Sequence, residues 1–273
     1  MYTINEYREA AQFLQSKISS PPEALLILGS GLGSLADELT NQVIIPYSEI
    51  PYFKTPTAPG HVGQLVAGRL FGRNVLCMQG RFHIYEGYKP AEASFPVRVA
   101  AMLGATRLVI TCACGGVNMD YSVGDLVMLT DYINLTHPGP LVGMDITGFD
   151  ARFIDMSHAF DREYLALAGD KAKSLGITLK KGIYFYMPGP QFETPAEIRA
   201  ARILGGDLVG MSVVNEVIMA RRMGMRVAGF GLVTNMAAGI LDVPLTEEEI
   251  FTEGRKARER FGGLLGLFVK EMS

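Results

Sequence analysis

Three cysteines and four histidines are all that this 273-residue chain offers to thiol or imidazole chemistry. Cys77, Cys112 and Cys114 have no paired spacing, which argues against a disulfide framework. Each sits in an apolar run that reads as a strand or strand end, where a buried, inert thiol is expected rather than a nucleophile. No His-Glu-x-x-His, no Cys-x-x-Cys and no Asp/Glu cluster at ligand spacing occurs, so no metal site is expected. A basic excess is lacking as well. The net charge is -3 and the pI about 5.9, which argues against a nucleic-acid partner. The longest basic cluster, Arg255, Lys256, Arg258 and Arg260, is interleaved with Glu253 and Glu259 and reads as a solvated helix face. No stretch approaches the ~18 uninterrupted apolar residues of a membrane span, and Met1 to Ala10 has no signal-peptide core. A soluble, cytoplasmic protein with no membrane partner is the expectation.

What is present is apolar and evenly spread. At 48% hydrophobic and 19% charged, the chain can bury a large core, and residues 1–273 are expected to form a single domain. Thr3 to Ile18 has helical periodicity. Glu23 to Leu28 is a short apolar run ending in Gly29-Ser30-Gly31-Leu32-Gly33-Ser34, as a buried strand entering a glycine turn would. Gln64 to Leu70 and Asn74 to Met78 read as a hairpin, Ala91 to Leu103 as one helix, and Arg107 to Ala113 as another buried strand. Asp125 to Thr130 and Gly182 to Met187 are strand-like. Helices are expected over Asp161 to Leu175, Pro195 to Leu204 (capped by Thr194) and Asn215 to Met223. Arg226 to Thr234 is a β-rich run ending at Asn235. A last helix starts at Thr246, with Glu249 completing a capping box. Alternating strands and helices predict an α/β layered fold.

In such sheets ligands bind beyond the carboxyl ends of the strands, so the residues just past each strand are the candidates. Gly29-Ser30-Gly31-Leu32-Gly33 offers free backbone N–H groups and the Ser30 hydroxyl to an anion; a tight structural turn is the alternative. It is not a P-loop, because no Gly-Lys-Ser/Thr follows, and Ser34 interrupts a dinucleotide fingerprint. Arg81 and His83, two apart around Phe82, point to one side of an extended segment and suit an oxyanion. His61, in Pro59-Gly60-His61, is a third candidate donor. Glu193, after a strand and before a helix, is either a first-turn acid or an acceptor beside the aromatic Phe192. Asn235 presents an amide donor and acceptor, or merely forms a turn.

Taken in this order, these segments resemble the trimeric class of purine nucleoside phosphorylases through almost the whole chain. The carriers are Gly29-Ser30-Gly31-Leu32-Gly33, Gly60-His61, Gly80-Arg81-Phe82-His83-Ile84-Tyr85-Glu86-Gly87-Tyr88, Gly189-Pro190-Gln191-Phe192-Glu193-Thr194, Gly210-Met211-Ser212, Glu216-Val217 and Val233-Thr234-Asn235. The resemblance implies a central mixed, twisted β-sheet flanked by helices. It also implies phosphorolysis of 6-oxopurine nucleosides such as inosine and guanosine, giving a free base and a pentose 1-phosphate. Ser30, His61, Arg81, His83, the Ala113 N–H and Ser212 would bind phosphate. Tyr85 and Met211 would contact the ribose, and Phe192, Glu193, Val209 and Asn235 would line the purine pocket. His83, Glu193 and Asn235 would be catalytic. Phe153 would reach a neighbouring subunit's site in a homotrimer. Phosphate is a co-substrate, and no metal or organic cofactor is implied.

Several positions depart from the family pattern. Cys112 stands where asparagine is usual, Cys114 replaces a small residue, and Val213 and Asn215 replace threonine and proline. Glu247 falls where a nucleoside-contacting histidine is common, and His137-Pro138-Gly139 is unusual. The rival readings are a methylthioadenosine-type phosphorylase, a silent nucleoside-binding paralogue and a nicotinamide-dependent oxidoreductase. Asn235 argues against the first and the incomplete glycine fingerprint against the last. Cys112 and Asn215 motivate the second.

Overall fold

A computed structural model describes residues 2–135 and 138–273. His137, one of the departures above, lies outside the described residues. The elements are α1 (Ile4–Lys17), β1 (Ala24–Leu28), β2 (Thr40–Pro46), β3 (Gln64–Leu70), β4 (Arg73–Gln79), α2 (Pro90–Ala93), α3 (Phe95–Met102), β5 (Arg107–Gly116) and β6 (Leu126–Ile133). They continue with α4 (Arg162–Ser174), β7 (Leu179–Tyr186), α5 (Pro195–Ile203), β8 (Leu208–Gly210), α6 (Val214–Arg222), β9 (Arg226–Met236) and α7 (Glu247–Glu271). The nine strands form one mixed sheet, ordered β2-β3-β4-β1-β5-β8-β7-β6-β9, and β9 also pairs with β5. The far half of the sheet thus closes on itself through β5, β8, β7, β6 and β9, while β2, β3, β4 and β1 extend from it.

Both faces of the sheet are covered, which is why its strands read as continuous apolar runs. Along β1 the side chains alternate. Leu25 and Ile27 pack with Tyr7, Phe95 and Val217 of α1, α3 and α6. Leu26 and Leu28 pack with Tyr164 of α4 and Phe261, Leu264 and Phe268 of α7. Local signals place most ends. Asp161 caps α4 by accepting from the N–H groups of Glu163 and Tyr164. Capping boxes open α5 at Thr194 and α7 at Thr246. The expected helix over Ala91 to Leu103 is instead two pieces meeting at Ser94. Pro96 lacks the N–H that would continue the ladder, and the Ser94 hydroxyl donates to the Pro90 carbonyl at 3.0 Å. Strands β2 and β8 were not foreseen.

The turn after β1 is packed against α7 backbone to backbone. A Cβ on Gly254 would lie 2.9 Å from Gly31 Cα and 3.0 Å from its carbonyl oxygen, and one on Gly31 would lie 3.2 Å from Gly254 Cα. Only glycine at both positions allows this approach.

Candidate active site

The carboxyl ends of β1, β4, β5, β8 and β9 and the loop after β7 converge on one cavity. It is bordered by Ser30, Arg81, His83, Tyr85, Ala113, Phe192, Glu193, Val209, Met211, Ser212 and Asn235. All the candidates are brought together there except two. His61 stands just behind it, against Ser30 and Arg81. Phe153 does not border it and is 86% exposed.

One end of the cavity is rich in donors. The Arg81 backbone N–H donates to His61 Nδ1 at 3.1 Å. That nitrogen therefore carries no proton, and Nε2–H faces the Ser30 hydroxyl at 3.2 Å. Position 80 must be glycine, since a Cβ there would lie 2.8 Å from that of His61. His83 is set the opposite way. Its Nδ1 lies 3.0 Å from Glu86 Oε1. Burial pushes the Glu86 carboxyl up, but hydrogen bonds from His83 and Thr57 outweigh that and hold it at about 2. The carboxylate accepts, so His83 Nδ1 donates and Nε2 presents a lone pair. Burial keeps both imidazoles neutral: His61 is pulled down to about 3, with His83 and Arg81 adding, and His83 is lowered too. The expectation of two histidine donors thus resolves into one donor and one acceptor.

Glu86 also accepts from the backbone N–H groups of His83, Thr57 and Ala58 and from the Thr57 hydroxyl. It ties the loop carrying His61 to the turn carrying His83. Arg81 Nη2 donates to the carbonyls of Ile27, near the end of β1, and Thr111, in the middle of β5. The Ser212 N–H donates to the buried Tyr184 hydroxyl at 3.1 Å. Val213, at φ 74 and ψ -54, forms a γ-turn closed by the Val214 N–H on the Ser212 carbonyl at 2.8 Å. A β-branched residue in that region is strained, so Ser212 is held where relaxed backbone would not put it. Glu86, Tyr184 and Glu216 had no assigned role in the sequence. The signal for Glu86 lay inside a motif already noted, whereas the one for Tyr184 is purely spatial.

The other end is less polar. Register between β5 and β9 slips after Cys114, which pairs with Val233, so that Gly115 pairs with Asn235. The slip bulges Thr234 and re-aims Asn235 into the cavity. Glu193 is 9% exposed, and burial raises its carboxyl above the usual range. Phe192, Val209 and Met211 supply apolar wall. Cys112 and Cys114 border the cavity, yet their thiols turn into the α1, α3 and α6 core and face the carbonyls of Phe230 and Leu232 at 3.7 and 3.2 Å. All three cysteines are free. Burial pushes the Tyr85 hydroxyl up to about 12, with the charges of Glu86 and Glu247 adding. Among the described residues no three His, Cys, Asp or Glu side chains gather as metal ligands, and no helix is long and apolar enough to cross a membrane.

The chain as a whole has clear relatives among known proteins. Residues 23–270 match the phosphorylase superfamily. Purine nucleoside phosphorylase 1 of Geobacillus stearothermophilus is 48% identical over 265 residues, covering 97% of each chain. The purine nucleoside phosphorylase of Bos taurus is 43% identical, covering 98% of this chain and 95% of that one. The Schistosoma mansoni purine nucleoside phosphorylase, solved with inosine and with adenosine, superposes at a TM-score of 0.94 with 35% and 36% identity, over 99% of this chain and 98% of that one. With such matches along nearly its full length, and a single cavity where its strand ends meet, this chain belongs to the purine nucleoside phosphorylase family.

Proposed function

We propose that the chain cleaves 6-oxopurine nucleosides with inorganic phosphate, releasing the base and a pentose 1-phosphate. The observation that carries this reading is the convergence of Ser30, Arg81, His83 and Ser212, backed by His61 against Ser30, on one end of a cavity whose other end holds Glu193 and Asn235. At the first end Arg81, the Ser30 and Ser212 hydroxyls and the Ala113 N–H donate to phosphate oxygens, and the His61 Nε2–H, which faces the Ser30 hydroxyl at 3.2 Å, turns to the anion when it binds. The His83 Nε2 lone pair accepts the hydroxyl of monohydrogen phosphate. Tyr85 and Met211 hold the sugar between the two ends.

As the glycosidic bond stretches, positive charge develops on the sugar beside the bound anion and negative charge on the purine. Asn235 donates to O6 or N7 of the departing base, and ionised Glu193 accepts from N1–H. Dipoles aimed at charge that exists only in the transition state lower the barrier without tightening ground-state binding. Base release from inosine is expected to track phosphate concentration. Equal rates in phosphate-free buffer would overturn the reading, and no turnover on any purine nucleoside would favour a silent binder. Adenosine belongs in the panel, because the schistosome relative was solved with it.

The chain is further proposed to act in the cytoplasm, as one domain, within a closed homotrimer. The nearly bare Phe153 ring supports the trimer, since an 86% exposed aromatic gains most by insertion into a neighbour. Phe153→Ala is expected to weaken nucleoside binding and spare phosphate binding. A fully active monomer in sedimentation at assay concentration would rule the trimer out.

A further inference from the structure

Behind the anion end lie two buried charges that stand apart. Arg81 is 1% exposed and Glu216, in the first turn of α6, is 3% exposed. Arg81 Nη1 is 3.9 Å from Glu216 Oε1, beyond hydrogen-bond range, and neither atom has a hydrogen-bond partner among the described residues. Buried opposite charges ordinarily close on each other, because each one left unpaired keeps its desolvation cost. Here the guanidinium is anchored instead by its other nitrogen, Nη2, on the Ile27 and Thr111 carbonyls. Its unpartnered Nη1 belongs to a side chain that borders the cavity. The carboxylate sits at the positive end of α6, which favours its charge. The other titratable group coupled to it is the Tyr186 hydroxyl, which burial raises first and Glu216 raises further.

We infer that Glu216 is a positioning residue that acts through Arg81: a fixed counter-charge behind the guanidinium that keeps phosphate, and the sugar phosphate formed from it, loosely enough held to exchange. Arginine alone in a dry bowl would bind a dianion tightly. A carboxylate on its far side subtracts from that field without touching the ligand. Burial raises the Glu216 carboxyl above its ordinary value, and Arg81 draws it only part of the way back. The inference rests on the reading of Arg81 as a phosphate ligand.

The test replaces the charge at nearly constant volume, with Glu216→Gln and Glu216→Met, and measures the KM for phosphate and for inosine separately. The expected result is a phosphate KM lowered about three- to tenfold, the scale of one unit charge several ångströms away in partly screened surroundings. The inosine KM should stay within about twofold, and Glu216→Asp, which keeps the charge, should not lower the phosphate KM. An unchanged or raised phosphate KM in either folded neutral variant overturns the inference. Failure of both neutral variants to fold also counts against it, because that assigns the carboxylate to the start of α6. A wild-type rate that ignores phosphate would instead remove the proposed function, so the two failures are distinguishable.

Discussion

At the anion end of the cavity each polar side chain is tied to a second group, whereas at the base end the ties are few. His61 is fixed by the Arg81 N–H, His83 by Glu86, Arg81 by two carbonyls and the Ser212 backbone by Tyr184. Asn235, by contrast, has one long bond to the Thr234 hydroxyl at 3.4 Å, and Phe192 is 37% exposed. Under the proposed function the anion end meets one invariant tetrahedral ion, so donors locked in advance lose nothing to reorganisation. The base end would then meet purines whose edges differ, and looser side chains would let it choose among them.

The strongest test of this contrast is at the locked end. Arg81→Met should lower kcat/KM for phosphate by about 10²–10³, the range seen when one preorganised donor is removed. Inosine binding, followed in the absence of phosphate, should change only a few-fold. Equal losses on both would mean that the two ends are not separable.

A smaller effect is expected at the loose end, and it should change a ratio rather than abolish a rate. Adenosine turns a lone pair toward Glu193 where inosine offers N1–H, and an unmatched buried polar group costs about 1–3 kcal/mol, or roughly tenfold to a hundredfold. Asn235→Asp should raise adenosine relative to inosine, and Glu193→Gln should harm inosine more. Because burial lifts the Glu193 carboxyl, inosine kcat/KM should fall on acidification at a pH above the ordinary glutamate range, and Glu193→Gln should remove that limb. A wild type that prefers adenosine, or a ratio unmoved by both variants, would show the base end to be misassigned.

The smallest effect sharpens the comparison through stability. Glu86→Gln loosens the tie between the His61 loop and the His83 turn, at about 1–3 kcal/mol. The folded Glu86 carboxyl lies at about 2, below its ordinary 4.5. Its contribution is therefore present above 4.5 and lost as pH falls toward 2. Melting temperatures should show wild type losing its advantage over Glu86→Gln across that window. A gap between the two that is constant from neutral pH to pH 2 would exclude the carboxylate as the tie.

The elements readable in advance were those whose cause is local. Asp161, Thr194 and Thr246 each sit beside the N–H groups they serve, so a few residues of sequence suffice. Most of the candidate residues could be named for the same reason: each lies just past an apolar run. What escaped is set by partners far along the chain. Strand β8 is three residues long and exists because β5 and β7 flank it. Val213 takes its strained backbone from its surroundings, against its own preference. The Thr234 bulge depends on register with β5, and Glu216 acquires a meaning only beside Arg81.

The bare contact of Gly31 with Gly254 has a consequence for the order in which the molecule is made. The turn that carries Ser30 emerges during synthesis more than two hundred residues before its cover, α7. Until α7 docks, that turn has water where it will have backbone, and Asn235 on β9 also arrives late. A nascent chain can therefore assemble the β1–β4 layer early, but it has no finished anion bowl. The bowl is complete only once α7 seats on that turn.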